Sequence, residues 1–174
     1  AAGRESLAQA MLSDVLRAIA ESRRVAGVLV VSREVRARYS VERVGGLFLE
    51  DTANCLSSAI VLAGEWLATH GQRGMLMIPG DVPLVSGREI DDLLLTHRGA
   101  PAVTLVPDRE QDGTNALAVS PVDAIEFAFG QGSFAKHRQA AQDVGIQAQV
   151  ALLPGLALDV DNPMDLQTLL TYDS

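Results

Sequence analysis

A chain of 174 residues, 48% hydrophobic and 21% charged, is long enough for one domain with a substantial core and too apolar to be a disordered segment. Its formal charge of −8 argues against a surface that follows nucleic-acid phosphates, which needs clustered Lys and Arg. One cysteine, Cys55, and three scattered histidines, His70, His97 and His137, exclude an internal disulfide and a Cys/His zinc site, so a bound metal would need oxygen ligands.

The opening AAGRESLAQAML lacks a signal-peptide pattern, and no apolar run reaches the roughly 20 residues that cross a bilayer. A cytoplasmic location without membrane contact is the default expectation. The first predicted helix covers roughly 4–21, with Leu7, Met11, Val15, Ala18 and Ile19 on one face. Strands are expected at 26–32 (AGVLVVS) and 46–49 (GLFL), then a helix at 53–70, a strand at 74–81 (GMLMIPGD) and a helix at 86–97. Further strands fall at 101–107, 115–120, 147–153 and 156–160, with helices at 133–144 and 163–172. The strand segments are short, β-branched and bounded by Gly or Pro. Their alternation with helices predicts a three-layer α/β/α domain, 1–174, around a mostly parallel mixed sheet. In such sheets ligands collect at the carboxyl ends of strands, where helix N-termini gather.

Three stretches lie at such ends. In MLMIPGDVPLV (75–85) Asp81 ends a strand and reads equally as a turn residue or a cap. In LPGLALDVDNPMDL (153–166) Asp159 and Asp161 alternate along an expected strand, with Cα atoms about 7 Å apart. Two ionised carboxylates at that distance repel by about 2–3 kcal/mol at an effective dielectric near 20. A divalent cation between them would reverse that sign, and an all-oxygen set selects a hard ion such as magnesium or manganese. Capping by Asp161 or Asn162 of the helix that Pro163 opens is the competing account, and it leaves Asp159 unexplained. The third stretch is DGTNALAVSPVDAIEFAFGQGSFAKH (112–137). Gly130 and Gly132 permit close backbone approach, and a helix start at Ser133 offers free NH groups to an anion. Lys136 and His137 would add positive charge in that first turn, while Thr114 and Asn115 add hydrogen-bonding side chains or merely begin a strand.

Taken together, IPGDVPLV, PDREQDGTNAL, FAFGQGSFAKH and LPGLALDVDNPMDL resemble, in order and spacing, the 2-phospho-L-lactate guanylyltransferases of coenzyme F420 biosynthesis. These are nucleotidyltransferases with the fold of molybdenum-cofactor guanylyltransferase, shared with nucleotide-diphospho-sugar transferases. The resemblance implies that Asp81, Asp159 and Asp161 hold magnesium or manganese and serve catalysis. It also implies that Thr114, Gly130 and Ser133, with Asn115 and Gly132 beside them, hold the acceptor's phosphate. GTP and a small phospho-carboxylate (2-phospholactate, phosphoenolpyruvate or 3-phosphoglycerate) would be the partners, with pyrophosphate leaving. Nucleotide contacts fall on Asp81 and Asn54, although EDTANCLSSAI (50–60) carries Thr52 and Ala53 where the family tends to have Gly-Leu. Such enzymes also begin with a strand and a basic phosphate loop, whereas Ala1 stands inside what should be the following helix.

Other readings remain open: another metal-dependent nucleotidyltransferase, a DxD glycosyltransferase, or a non-catalytic phospho-ligand subunit. The oligomeric state, a homodimer included, is left open. Cys55 and Trp66 are expected in the core, His70 and His97 near helix C-termini for the dipole, and Phe127 and Phe129 as packing anchors of the glycine loop.

Overall fold

The computed structural model describes residues 2–52 and 55–172. Helix α1 (Ala2–Glu21) is followed by β1 (Leu29–Ser32), α2 (Ala37–Arg43), β2 (Leu47–Glu50) and α3 (Leu56–Thr69). Then come β3 (Met75–Met77), α4 (Gly87–Thr96), β4 (Ala102–Pro107), β5 (Thr114–Ser120), α5 (Ser133–Asp143), β6 (Gln149–Val150), α6 (Pro154–Ala157) and α7 (Pro163–Tyr172). Two strands pair in parallel, β1 with β2. The other four form a sheet in the order β3-β5-β4-β6. Strand β5 runs antiparallel to β3 and β4, and β6 runs parallel to β4. Three of the four strands thus share one direction, and β5 makes the sheet mixed.

Period-two alternation along β4 and β5 builds the layers. Val106, Ala116 and Ala118 join a core with Val15 and Ala18 of α1, Ile90 and Leu93 of α4, and Leu156 of α6. Val103, Leu105, Leu117 and Val119 point the other way, onto Ile60 of α3 and Phe134 and Ala141 of α5. Both faces of the sheet are therefore covered, as the alternating sequence predicts, and β4 is buried along its whole length. Helix α1 buries Met11, Val15 and Ala18 as its periodicity requires, with Leu16 added. Among the described residues no helix is long and apolar enough to cross a membrane.

Three expectations need correction. The segment 156–160 is not a strand: a helical turn occupies Pro154–Ala157, because Pro at its first position presets φ and needs no NH partner. The chain then passes through 158–162 without a ladder, bending at Asn162. Strand β3 stops at Met77 and β6 is two residues long. Helix α2 falls in a segment too short and charged to show a helical period, yet it buries Ala37 and Val41.

Between the two sheets lies a cleft of about 1240 Å³, lined by the neighbouring edges of β1 and β3 and by Val15, Trp66 and Leu67.

Candidate active site

The site forms where β5 begins. β5 carries one extra residue opposite the Val106/Pro107 junction of β4, a bulge that interrupts its alternation and re-aims its side chains. Continued alternation would turn Thr114 to the α4 side with Ala116, and Asn115 to the α5 side with Leu117. Instead Thr114 reaches α5, and Asn115 donates through Nδ2 to Asp159 Oδ1 at 3.3 Å. Adjacent buried residues, 7% and 6% exposed, thereby serve two different groups.

The first group is a cradle of hydroxyls. The Thr114 NH donates to Ser133 Oγ at 2.9 Å, and Thr114 Oγ1 lies 3.0 Å from His137 Nδ1. His137 Nε2 accepts the Ala128 NH at 3.0 Å. Burial, then the charge of Lys136, holds the His137 pKa down at about 4. His137 is therefore neutral and wholly buried, not the cation expected in that turn. Lys136 spends its ammonium on the Gln131 carbonyl at 2.7 Å.

The glycine loop is pinned along its length. Beyond the Ala128 bond, the Phe129 NH donates to Ser57 Oγ, and the Gly132 NH donates to the Asp112 carboxylate, each at 3.0 Å. Gly130 and Gly132 take φ of 107° and 69°, left-handed values that favour glycine. Not all the helix-start NH groups are free: Ser133 donates to the Gly130 carbonyl and Phe134 to the Asp112 carbonyl. The hydroxyls of Thr114 and Ser133 are thus the cradle's most evident donors. Phe127 is buried and Phe129 packs edge-on against His137 at 4.6 Å, which bears out their reading as anchors. Sequence reasoning missed Asp112, Ser57 and the role of His137, whose partners lie 20, 72 and 23 residues away respectively.

The second group is acidic. The Val160 NH donates to the Asp81 carbonyl at 3.0 Å, bringing Asp159 and Asp161 beside Asp81. Burial, then the charges of Asp161 and Asp159, raise the Asp81 pKa. Burial followed by Asp159 and Asp165 raises that of Asp161. The Oδ1 atom of Asp81 is buried with no hydrogen-bond partner among the described residues. Asp161 is not the cap of α7. Asn162 Oδ1 accepts from the NH groups of Met164 and Asp165, and the Asp165 carboxylate accepts in return from those of Asp161 and Asn162. That arrangement leaves the Asp161 carboxylate available. Among the described residues no three such side chains already enclose a metal position. The donors nonetheless fit a hard cation: all are oxygen, they repel one another, and one is orphaned.

Glu89 supports this arrangement from α4. It completes a capping box with Ser86 and accepts the Gly155 NH at 2.7 Å, tying α4 to the turn that precedes Asp159. Asn54 lies outside the described residues. Cys55, expected in the core, is exposed at the start of α3. Trp66 is half-buried, stacked on His70 with ring centroids 3.7 Å apart. The ring of His97 sits between Thr104 at 3.0 Å and Ser120 at 2.9 Å, and burial lowers its pKa, so a charge–dipole role is not its account.

A family profile described as guanylyl transferase CofC like matches residues 1–174. A phosphoenolpyruvate guanylyltransferase of Sphaerobacter thermophilus is 36% identical over 168 residues, covering 95% of this chain and 80% of its own. A 3-phospho-D-glycerate guanylyltransferase of Colwellia psychrerythraea is 38% identical over 130 residues, covering 75% and 61%. In fold, the chain resembles a solved nucleotidyl transferase from Methanothermobacter thermautotroptrophicus at a TM-score of 0.71 and 14% identity, covering 93% of this chain and 79% of that one.

Proposed function

The chain belongs to the CofC-like guanylyl transferases, and from that premise we propose that it transfers GMP from GTP to a small phospho-carboxylate in coenzyme F420 biosynthesis. Phosphoenolpyruvate is the first choice of acceptor and 3-phosphoglycerate the second, following the relatives. An oxygen of the acceptor's phosphate attacks the α-phosphorus, a new P–O bond forms, and the bond to the bridging oxygen breaks as pyrophosphate leaves. The acceptor phosphate, with a second pKa of about 6, is ionised at neutral pH, so no side chain need act as base.

Catalysis then consists of holding two anions together in line, which is a task of positioning and charge. Thr114 and Ser133 donate their hydroxyl protons to the acceptor's phosphate, with the glycine loop of Gly130 and Gly132 closing over it. Asp81, Asp159 and Asp161 would hold a divalent cation, which supplies charge neutralisation at the transferring phosphoryl group. The observation that carries this reading is the bulge at the start of β5. There Thr114 faces the hydroxyl cradle while its neighbour Asn115 is bonded to Asp159, so acceptor and acid cluster meet at one point of the backbone.

We also place in the cleft between β1 and β3 the additional strand and basic loop that the resemblance calls for. Among the described residues β1 and β3 each pair with one strand only, and both line that cleft beside apolar side chains, a setting that accepts a strand. The whole would then be one nucleotidyltransferase domain.

The test is pyrophosphate release by the full-length protein with GTP, magnesium and each of phosphoenolpyruvate, 3-phosphoglycerate and 2-phospholactate. One acceptor should turn over, and Asp159→Asn should lower kcat by at least about 100-fold. Turnover of none of them, by folded protein, would refute the proposal.

A further inference from the structure

We infer that His137 is a positioning residue that compels the Thr114 hydroxyl to act as a donor to the acceptor's phosphate; the inference rests on the guanylyl-transfer reading above. Its starting point is a backbone group whose role has no alternative. The Ala128 NH can only donate, so His137 Nε2, 3.0 Å away, must present its lone pair. In a neutral ring the proton then resides on Nδ1. That proton faces Thr114 Oγ1 at 3.0 Å, so the hydroxyl accepts it and must send its own proton elsewhere.

Ser133 is set the same way. Its Oγ accepts the Thr114 NH at 2.9 Å, which again leaves the hydroxyl proton free. Two hydroxyls, each able to donate or accept in general, are both turned into donors by fixed partners on their inner side. Such a pair suits a ligand that only accepts, and an ionised phosphate is one. Packing alone does not account for the residue. A leucine or phenylalanine would fill the space against Phe129 equally well, whereas this wholly buried ring uses both nitrogens, one on each segment of the cradle.

The experiment is a double-mutant cycle on the full-length protein, with His137→Leu, Thr114→Val, the double variant and His137→Gln. The readouts are KM for phosphoenolpyruvate and for GTP. If His137 acts through Thr114, His137→Leu raises KM for phosphoenolpyruvate by on the order of 10-fold and leaves that for GTP within about twofold. The double variant is then no worse than Thr114→Val, and His137→Gln, which can both accept and donate, recovers most of the loss. Multiplying effects in the double variant, or equal losses for both substrates, would overturn the inference. A second readout needs neither turnover nor a folded leucine variant. Ring ¹⁵N spectra at neutral pH should show Nδ1 protonated and Nε2 bare, and an Nε2–H tautomer or an imidazolium would overturn the inference directly. Should the expected Nδ1–H tautomer be present while no phospho-acid is bound or transferred, the guanylyl-transfer reading is what fails, and the assigned role of His137 falls with it.

Discussion

Acidification should unfold this protein in part through His137, and the size of the effect follows from its burial. A histidine in the unfolded chain titrates near 6.5, and in the fold this one is held down at about 4. Between those values the unfolded state binds a proton that the native state refuses, so stability falls as pH falls and is fully present above about 6.5. Each unit is worth about 1.4 kcal/mol, which gives a loss of about 2 kcal/mol by pH 5 and about 3 kcal/mol once pH falls below 4. The raised carboxyls of Asp81 and Asp161 work with the opposite sign, since protonation favours their native form. A comparison that cancels them is therefore needed. Urea unfolding of wild type and His137→Gln at pH 7 and pH 5 supplies it, because the glutamine cannot titrate. The stability advantage of wild type over the variant should shrink by about 2 kcal/mol between the two pH values. Equal acid sensitivity of the two proteins would refute the reasoning and mean that the buried ring finds room for its proton.

Asp81→Asn removes one of three mutually repelling charges. It should leave the metal-free protein as stable or more stable by about 1 kcal/mol, while abolishing the rise in Tm that millimolar magnesium or manganese brings to wild type. A wild-type Tm indifferent to both ions would count against the acid cluster as a cation site. Gly155→Ala places a methyl group onto the Glu89 carboxylate, which cannot retreat without breaking the α4 cap, and onto the backbone carbonyl of Leu84. A loss of about 1–3 kcal/mol on urea unfolding is expected, together with weaker magnesium stabilisation, because the turn before Asp159 shifts. Asn162→Ala removes the cap of α7, a helix with no fully buried residue. Amide exchange should therefore quicken at Met164 and Asp165 while protection in β4 and β5 stays the same, and a cooperative loss across the sheet would contradict that.

Much of the architecture was legible in the linear chain because its signals are local. The helical period of Met11, Val15 and Ala18, the helix expected at 86–97, and the largely apolar strand that became β4 each state their structure within a few residues. The glycine loop was legible too, since Gly130 and Gly132 sit where the backbone takes positive φ. Asp81, Asp159 and Asp161 were identified as a set through ordered motifs, and the hydrogen bond from Val160 to Asp81 brings them together.

What failed to be legible depended on partners distant in sequence. A short apolar run after a glycine made 156–160 read as a strand, although the turn at Pro154 and the tie from Glu89 to Gly155, 66 residues apart, decide its shape. His137 looked like a cation at a helix start, and burial against the Thr114 hydroxyl and the Ala128 NH made it neutral. The residue types determined which chemistry is available here, namely hard oxygen donors, hydroxyls and a glycine-rich loop. Only the tertiary structure decided which of them act together, because the bulge in β5 turns Thr114 and Asn115 toward different groups, and that choice belongs to strand register, a long-range property that no short window of sequence contains.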